Sequence, residues 1–412
     1  MFQASAPTRS IRRNHWLIWH PLSFMFIDWV FGGLNMAGRS GSRNSSVELL
    51  RILSMLMIVA SHCVMFSDMN LLAQPLGVNK ILIETFLYSG GKIGVVAFFS
   101  ISAWYLSEAG GVRAGLRRVW ILEREMLFWS LTLLAVTAVV NRSLVGPELA
   151  VRSLMPITTS LWWYPTAYAV FLLFFPFLTQ GLRSLGKTAH GALCTIMVVL
   201  YTVLDMVMPL SAVGLPGGNV RSFIYIYTLI AYYRWYMKPL TTATAWRTLA
   251  GGYALIVVGA LGGGLLYQHT GKLQTLQVYL GKVEFRLPVL MVGLAMFVLF
   301  ERHEFHNRAV NAVAASTFGV YLISEYPTVR QWIWSNPWLD FGGLYRSPSA
   351  FVLIVLSVCA VFAGCVVLDA VRRLLFRITI DRRRGRWFDL LWEHLRRKLR
   401  HADYRTEHIE NR

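Results

Sequence analysis

Long apolar blocks recur along this chain, and they constrain its fold more than any other feature. Several of them approach or exceed about 18 apolar residues with few or no charges, the length needed to cross roughly 30 Å of hydrocarbon. Composition agrees, because 55% of the 412 residues are hydrophobic and only 15% are charged, whereas soluble domains carry about a quarter charged residues. The sequence therefore predicts an all-α, polytopic membrane protein and excludes a soluble domain.

The blocks predict a helical bundle with about ten transmembrane helices. They fall at 47–67, 93–107, 119–140, 161–179, 190–208, 219–237, 248–268, 286–300, 309–325 and 350–371. If the N-terminus is inside, the densest basic clusters lie in the inward loops and in the C-terminal tail. The positive-inside rule therefore predicts that both termini are cytoplasmic.

Three regions follow from this pattern. Residues 47–376 form the predicted ten-span domain. Residues 1–46 form an N-terminal extension, which is either an interfacial helix or an eleventh span, and residues 1–35 are not translated if synthesis starts at Met36. Residues 377–412 form a basic tail, which we predict to be an amphipathic helix on anionic membrane lipids. The net charge of +19 is spread over short loops and this tail, so it does not indicate a nucleic-acid partner.

The first apolar block carries the most informative ionisable residues. Arg51 and His62 are eleven residues apart, so in a helix they differ by about 20° around the axis and roughly 16 Å along it, and Glu48 lies on the same stripe. Burying a charge near the bilayer centre costs about 2.5–3.5 kcal/mol or more. A neutral imidazole can act as a general base, and a guanidinium can bind a phosphate or carboxylate. A helix-end arginine and a hydrogen-bonded core histidine are the structural alternative, and spacing does not decide between the two interpretations.

Three arginines follow the second block. Arg113 and Arg117 are one helical turn apart, and Arg118 is adjacent. Such a cluster at the inner membrane surface can hold a phosphorylated donor. It can equally be topogenic charge that only fixes the orientation of the helices.

Aromatic residues open the fourth block, and an acidic residue ends the ninth. Trp163, Tyr164 and Tyr168 suit either a membrane-interface belt or a stacking surface for a sugar ring. Glu325 lies at the outer end of its block, where it is either solvated or turned toward a substrate.

Five segments, in this order, resemble the acyltransferase 3 family of multi-spanning membrane enzymes, in the branch that O-acetylates exopolysaccharides and other surface sugars. The segments are 48–62, 90–106, 163–178, 225–234 and 316–323. The arginine and histidine of the family's first span fall on Arg51 and His62. Ser324 stands where the family commonly has a histidine.

The resemblance implies transfer of an acyl group from cytoplasmic acyl-CoA to a carbohydrate hydroxyl in a bacterial plasma membrane. The donor, as co-substrate, is expected to be acetyl-CoA, and no metal is expected. The predicted site comprises His62, Arg51 and Glu48 as catalytic residues, Arg113, Arg117 and Arg118 as donor-binding residues, and Trp163, Tyr164, Tyr168 and Glu325 as substrate-binding residues.

A transporter or flippase of a lipid-linked sugar is the alternative interpretation, in which Arg51 and the aromatic residues bind substrate without chemistry. The sequence shows no inverted repeat and no pair of matched broken helices, which many transporters have. A polysaccharide polymerase is a further class, but the longest outward loop, about residues 326–349, is modest.

Overall fold

The structure, a computed structural model, describes residues 44–109, 111–207, 217–336, 339–379 and 385–397. All regular secondary structure in these ranges is helical. The predicted all-α helical membrane bundle is confirmed. The extension predicted over residues 1–46 lies almost entirely outside the described residues.

Thirteen α-helices are numbered here in chain order, followed by a helix over 386–397. They are α1 Ser45–Phe66, α2 Val78–Leu106, α3 Val112–Val140, α4 Pro147–Leu154, α5 Trp163–Val198, α6 Val220–Tyr236, α7 Thr242–Thr270, α8 Leu287–Glu301, α9 Arg308–Ala314, α10 Thr317–Ser324, α11 Pro327–Trp334, α12 Phe341–Arg346 and α13 Ala350–Ile378. Helix α2 contains a π-helical segment, Ile83–Tyr88, and α5 continues through a second one, Val199–Leu204.

Five helices among the described residues are long and apolar enough to cross a membrane: α1, α2, α5 with its continuation to Val207, α7 and α13. Helix α8 is a shorter apolar helix. Helix α5 is broken at Gly186, whose φ of 69° is left-handed, and its two arms correspond to two of the predicted blocks. The count of ten spans and the cytoplasmic position of both termini stay predictions.

Helix α2 begins earlier than the sequence predicted. The second block was placed at 93–107, but the helix starts at Val78. Its first half carries Lys80 and Glu84, which lower the hydropathy of that stretch. Both side chains are only 1% exposed, and they form an ion pair at 3.9 Å. Lys80 Nζ also donates to the carbonyl oxygens of Leu72 and Gln74 at 3.1 and 2.6 Å, so this cation is held inside the bundle.

Helices α1 and α2 approach closely through small residues. A Cβ atom on Gly91 would lie 2.4 Å from Ser61 Cβ, and one on Gly94 would lie 2.5 Å from the carbonyl oxygen of Ser54. Small residues allow helix backbones in membranes to approach closely. This contact fixes the position of the C-terminal half of α1, which carries His62.

Replacing Gly94 with alanine is expected to destabilise the protein by about 1–3 kcal/mol, because the new methyl group meets backbone rather than a flexible side chain. The melting midpoint should fall by several degrees when unfolding is followed by thiol labelling of the buried cysteines Cys63, Cys194 and Cys365. Gly262→Ala is the matched control, since a Cβ there meets nothing within 4 Å. Equal midpoints for both variants would contradict the close helix contact.

A buried charge cluster holds α10 in the bundle. Asp369 on α13 is fully buried and accepts hydrogen bonds from Trp129 Nε1 at 3.2 Å and from Arg372 Nε at 2.7 Å. Gly319 on α10 packs directly on this carboxylate, where a Cβ would lie 2.0 Å from Asp369 Oδ1. Helix α10 is thereby fixed next to α3 and α13, and it leads into Glu325.

The tail contains a helix over 386–397, within the region predicted to be amphipathic. Trp387, Leu391 and Leu395 follow one another at helical spacing and are 65%, 47% and 47% exposed. Phe388 is buried, and its ring centroid lies 6.3 Å from that of Trp120 on α3. One face of this helix thus packs on the bundle and another is apolar and uncovered; its contact with lipid stays a prediction.

Candidate active site

His62 lies inside the bundle, one helical turn before the end of α1. Its side chain is 9% exposed, and its Nδ1 atom lies 2.9 Å from Glu325 Oε1. Glu325 is 8% exposed and follows α10 directly. The two atoms are close without being aligned as a hydrogen bond, so a small rotation of either side chain would complete one. The structure therefore places Glu325 against the imidazole and not in solvent.

Arg330 on α11 extends this pair. One of its NH groups lies 3.5 Å from the second oxygen of Glu325, and its guanidinium lies 3.9 Å from the centre of the Phe66 ring. The Phe66 ring is in turn 6.0 Å from the imidazole of His62. His62, Glu325 and Arg330 therefore lie in sequence, each next to the following one, at the end of α1 that is predicted to face outward.

This arrangement suits proton transfer at the other ring nitrogen of His62. A carboxylate at Nδ1 favours the tautomer with its proton on Nδ1, which leaves the lone pair of Nε2 able to accept a proton. The carboxylate also stabilises the imidazolium that forms when the proton arrives. Arg330 holds the carboxylate in place and balances its charge. His62, held by Glu325 and Arg330, can thus act as a general base.

Arg51 and Glu48 lie at the other end of α1, as their positions in the sequence require. Arg51 Nε is 3.7 Å from Glu48 Oε2, and the side chains are 31% and 11% exposed. The phenols of Tyr105 and Tyr164 lie within electrostatic range of Arg51. Glu48 therefore pairs with Arg51 rather than with His62.

Of the predicted aromatic residues, Tyr164 is linked to the imidazole through the ring of Tyr321. The ring of Tyr321 is 6.1 Å from that of His62 and 6.1 Å from that of Tyr164. Tyr164 is 6% exposed, and its hydroxyl has no hydrogen-bond partner among the described residues. Tyr168 stacks on Tyr164 at 6.3 Å. Tyr164 is thus an interior residue near the base, not a member of a surface belt.

Trp163 belongs to a second polar cluster. Lys92 Nζ lies 4.9 Å from the centre of the Trp163 ring and 3.0 Å from Glu284 Oε2. Glu284 is fully buried and also accepts a hydrogen bond from the N–H of Gly218. Burial raises the pKa of the Glu284 carboxyl, but Lys92 and this N–H outweigh that effect and lower the pKa below its ordinary value. Glu284 is therefore charged at neutral pH and balances Lys92.

The three loop arginines begin α3, and two of them contact the tail. Arg113 lies 2.8 Å and Arg117 3.5 Å from the carboxylate of Asp389. Arg118 instead donates to the carbonyl oxygen of Ala114 at 3.3 Å. Arg113 and Arg117 therefore share one face, as predicted, but the tail helix supplies a counter-ion that the sequence analysis missed.

Three further residues escaped the sequence analysis: Arg330, Lys92 and Glu284. Arg330 lies only five residues after Glu325, but the sequence placed it within the predicted outward loop of about residues 326–349. Lys92 follows two glycines in the middle of α2, and Glu284 lies in the connection before α8. Nothing in the sequence indicates that they meet. Within the described residues, no group of three or more His, Cys, Asp or Glu side chains is placed to hold a metal ion.

Fold and site together define a multi-pass helical membrane protein with a histidine–carboxylate pair buried near one end of its first helix. A family model described as an acyltransferase domain matches residues 44–370, which includes both members of this pair. The chain belongs to the acyltransferase 3 family and is a membrane acyltransferase. No curated protein and no solved structure gave a significant match.

Proposed function

We propose that this protein is an O-acetyltransferase of a bacterial plasma membrane. It would transfer an acetyl group from cytoplasmic acetyl-CoA to a hydroxyl of a cell-surface or exopolysaccharide sugar. The observation that carries the proposal is the buried imidazole of His62, with the carboxylate of Glu325 at 2.9 Å from Nδ1. An acyl transfer to a hydroxyl needs a base that removes the hydroxyl proton, and this pair can provide it.

In the proposed reaction, the sugar hydroxyl oxygen attacks the thioester carbonyl carbon of acetyl-CoA. His62 Nε2 accepts the hydroxyl proton as the new C–O bond forms. The C–S bond then breaks, and the proton passes from His62 to the departing sulfur, which leaves as the free thiol of CoA. Glu325 holds the imidazole and stabilises its charged form between these two transfers.

The donor enters from the end of α1 opposite to His62. Arg51 and the arginines at the start of α3, Arg113, Arg117 and Arg118, supply positive charge for the phosphates of CoA. The acyl end would then extend toward His62 along α1, over the roughly 16 Å that separate eleven residues of a helix. Trp163, Tyr164 and Tyr168 would supply aromatic rings for the acceptor sugar.

A deletion strain tests this proposal directly. Surface polysaccharide from the strain should lose O-acetyl groups relative to wild type, as measured by proton NMR before and after mild alkali. A wild-type copy of the gene should restore the signal, and a His62→Ala copy should not. An unchanged acetyl content in every surface glycan would favour the alternative, a transporter of a lipid-linked sugar.

The contact between the tail and α3 predicts a change in donor affinity. Asp389 neutralises Arg113 and Arg117, so CoA phosphates must compete with it for these side chains. Asp389→Asn is therefore expected to lower the KM for acetyl-CoA, by up to about fivefold, since an exposed ion pair contributes about 0–1 kcal/mol. Initial rates at varied acetyl-CoA would measure the effect.

Glu393→Gln is the control for this prediction, because it removes a negative charge from the exposed side of the same helix. It should leave the KM for acetyl-CoA unchanged. An increase in KM for Asp389→Asn would mean that the tail supports the donor site, and an unchanged KM would place the CoA phosphates elsewhere.

A further inference from the structure

A groove lies on the surface of the bundle, lined by the arm of α5 that follows Gly186, by α6 and by α8. Its volume is about 930 Å³, within the range of roughly 300–1,000 Å³ that is typical of small-molecule sites. Its lining includes Val199 and Met237, which are 44% and 47% exposed. Ile196, on the same arm of α5, is 56% exposed. Because these apolar side chains lie in predicted membrane spans, the groove opens toward lipid.

The groove extends about as far as one leaflet of a bilayer. Along α5 its lining runs from Lys187 to Val199, which is twelve residues and therefore roughly 18 Å of helix. The hydrocarbon core of a bilayer is about 30 Å thick, so each leaflet contributes about 15 Å. Lys187 directly follows the break at Gly186, at the end of this arm that is predicted to be cytoplasmic. The groove therefore matches the depth of the inner leaflet, from the headgroups to the middle of the membrane.

The two ends of the groove differ in polarity. Lys187 is the one charged residue in its lining among the described residues, and it is exposed and forms no ion pair with any of them. Val199, Leu229 and Leu294 make the lining farther from this lysine apolar. Thr195 Oγ1 donates to a backbone carbonyl oxygen of its own helix at 3.0 Å, so it needs no partner from a ligand. An amphiphile with a negative head at Lys187 and a hydrocarbon chain beyond it matches this lining.

Other charges at the same end leave it positive. Lys238 is exposed and lies in the segment after α6, residues 237–240, whose two ends line the groove. Arg302, just past α8, donates a hydrogen bond to a backbone carbonyl oxygen of that segment. Glu301 lies within electrostatic range of Arg302 and of Glu304. Even against both carboxylates, these two cations and Lys187 leave a net positive charge for an anionic headgroup.

We propose that the groove binds one anionic phospholipid of the inner leaflet, with its phosphodiester at Lys187 and an acyl chain along the groove. Basic pockets between membrane helices on the cytoplasmic side bind the headgroups of anionic lipids. A phosphodiester carries a single negative charge, which suits one lining lysine, whereas the head of an acyl-CoA carries several. This site is distinct from the surface contact predicted for the tail helix, and it does not depend on the proposed acyl transfer.

Native mass spectrometry of the full-length protein, stripped of lipid in detergent, tests the proposal. The probes are phosphatidylglycerol, zwitterionic phosphatidylethanolamine with the same chains, and palmitoyl-CoA. Wild type should bind phosphatidylglycerol more tightly than phosphatidylethanolamine. Lys187→Gln should weaken the binding of phosphatidylglycerol about fivefold and leave that of phosphatidylethanolamine unchanged. Leu294→Trp, which places a large ring in the groove, should remove the tight phosphatidylglycerol site.

Arg247→Gln and Leu261→Trp are the matched controls and should bind both lipids as wild type does. Arg247 is an exposed cation near the start of α7, Leu261 is 39% exposed on the same helix, and neither lines the groove. Thermal unfolding checks that each variant is folded, and Lys187→Gln is expected to fold because Lys187 is exposed.

Three results would overturn the proposal. In the first, wild type does not distinguish the two phospholipids. In the second, Lys187→Gln or folded Leu294→Trp binds phosphatidylglycerol as tightly as wild type does. In the third, palmitoyl-CoA binds more tightly than phosphatidylglycerol and loses its site in Leu294→Trp, which would make the groove a channel for the acyl chain of a donor.

Discussion

Replacing His62 with alanine is expected to lower acyl transfer by about 10²–10⁴-fold, the range that general-base catalysis contributes. The reason is the loss of the imidazole that takes the acceptor proton, since no second titratable base is in contact with the pair that His62 forms with Glu325 in the described structure. The KM for acetyl-CoA should change little, because the proposed phosphate contacts lie at the other end of α1. Initial rates with purified protein in nanodiscs would measure both parameters.

His190 offers a matched control for this experiment. It is also a buried histidine, but its Nε2 contacts the carbonyl oxygen of Thr228 at 3.1 Å, between α5 and α6. His190→Ala should reduce thermal stability without lowering the rate per folded molecule. Added imidazole should partly restore activity to His62→Ala and do nothing for His190→Ala. Near wild-type turnover by His62→Ala would remove the base from the mechanism.

The predicted stripe on the first helix illustrates what the sequence contains. The positions of Arg51 and His62 depend only on helical geometry, and one helix of 22 residues covers both. Most apolar blocks likewise coincide with helices, because hydropathy over about 18 residues is a local property, but the ninth block, 309–325, is divided into α9 and α10. The fold class and the positions of Arg51 and His62 along one helix were therefore accessible without knowing any tertiary contact.

The partners of these residues were not accessible in the same way. Glu325 meets His62 only because α10 packs beside α1, and Asp389 meets Arg113 only because the tail helix returns to α3. Helical periodicity gives the angle of a side chain around its own helix but not the identity of the helix opposite. Buried charged residues also lower the mean hydropathy of a helical segment, so that the segment is missed. Lys80 and Glu84 had this effect at the start of α2.

Glu325→Gln is expected to lower turnover by about a hundredfold or more while the KM for acetyl-CoA stays within a factor of two or so. Glutamine has nearly the same shape, so packing beside Tyr321 and Arg330 is preserved. It lacks the charge that stabilises the imidazolium and that fixes the proton on Nδ1, and loss of an equivalent carboxylate in a serine-protease triad costs about 10⁴-fold in turnover. Glu325, as a positioning residue, is thus expected to affect turnover but not the binding of acetyl-CoA.

Two measurements separate this role from a merely structural one. In ¹⁵N-histidine spectra, wild type should show a resonance for the Nδ1–H tautomer of His62, assigned by its loss in His62→Ala, and Glu325→Gln should shift the population toward Nε2–H. Glu148→Gln removes a carboxylate that is 85% exposed on α4 and should change neither turnover nor tautomer. Because Glu325 also holds Arg330 at 3.5 Å, Arg330→Gln should reduce turnover less than Glu325→Gln does. If Glu325→Gln kept full turnover with an unchanged tautomer, the carboxylate would be only a packing partner of His62.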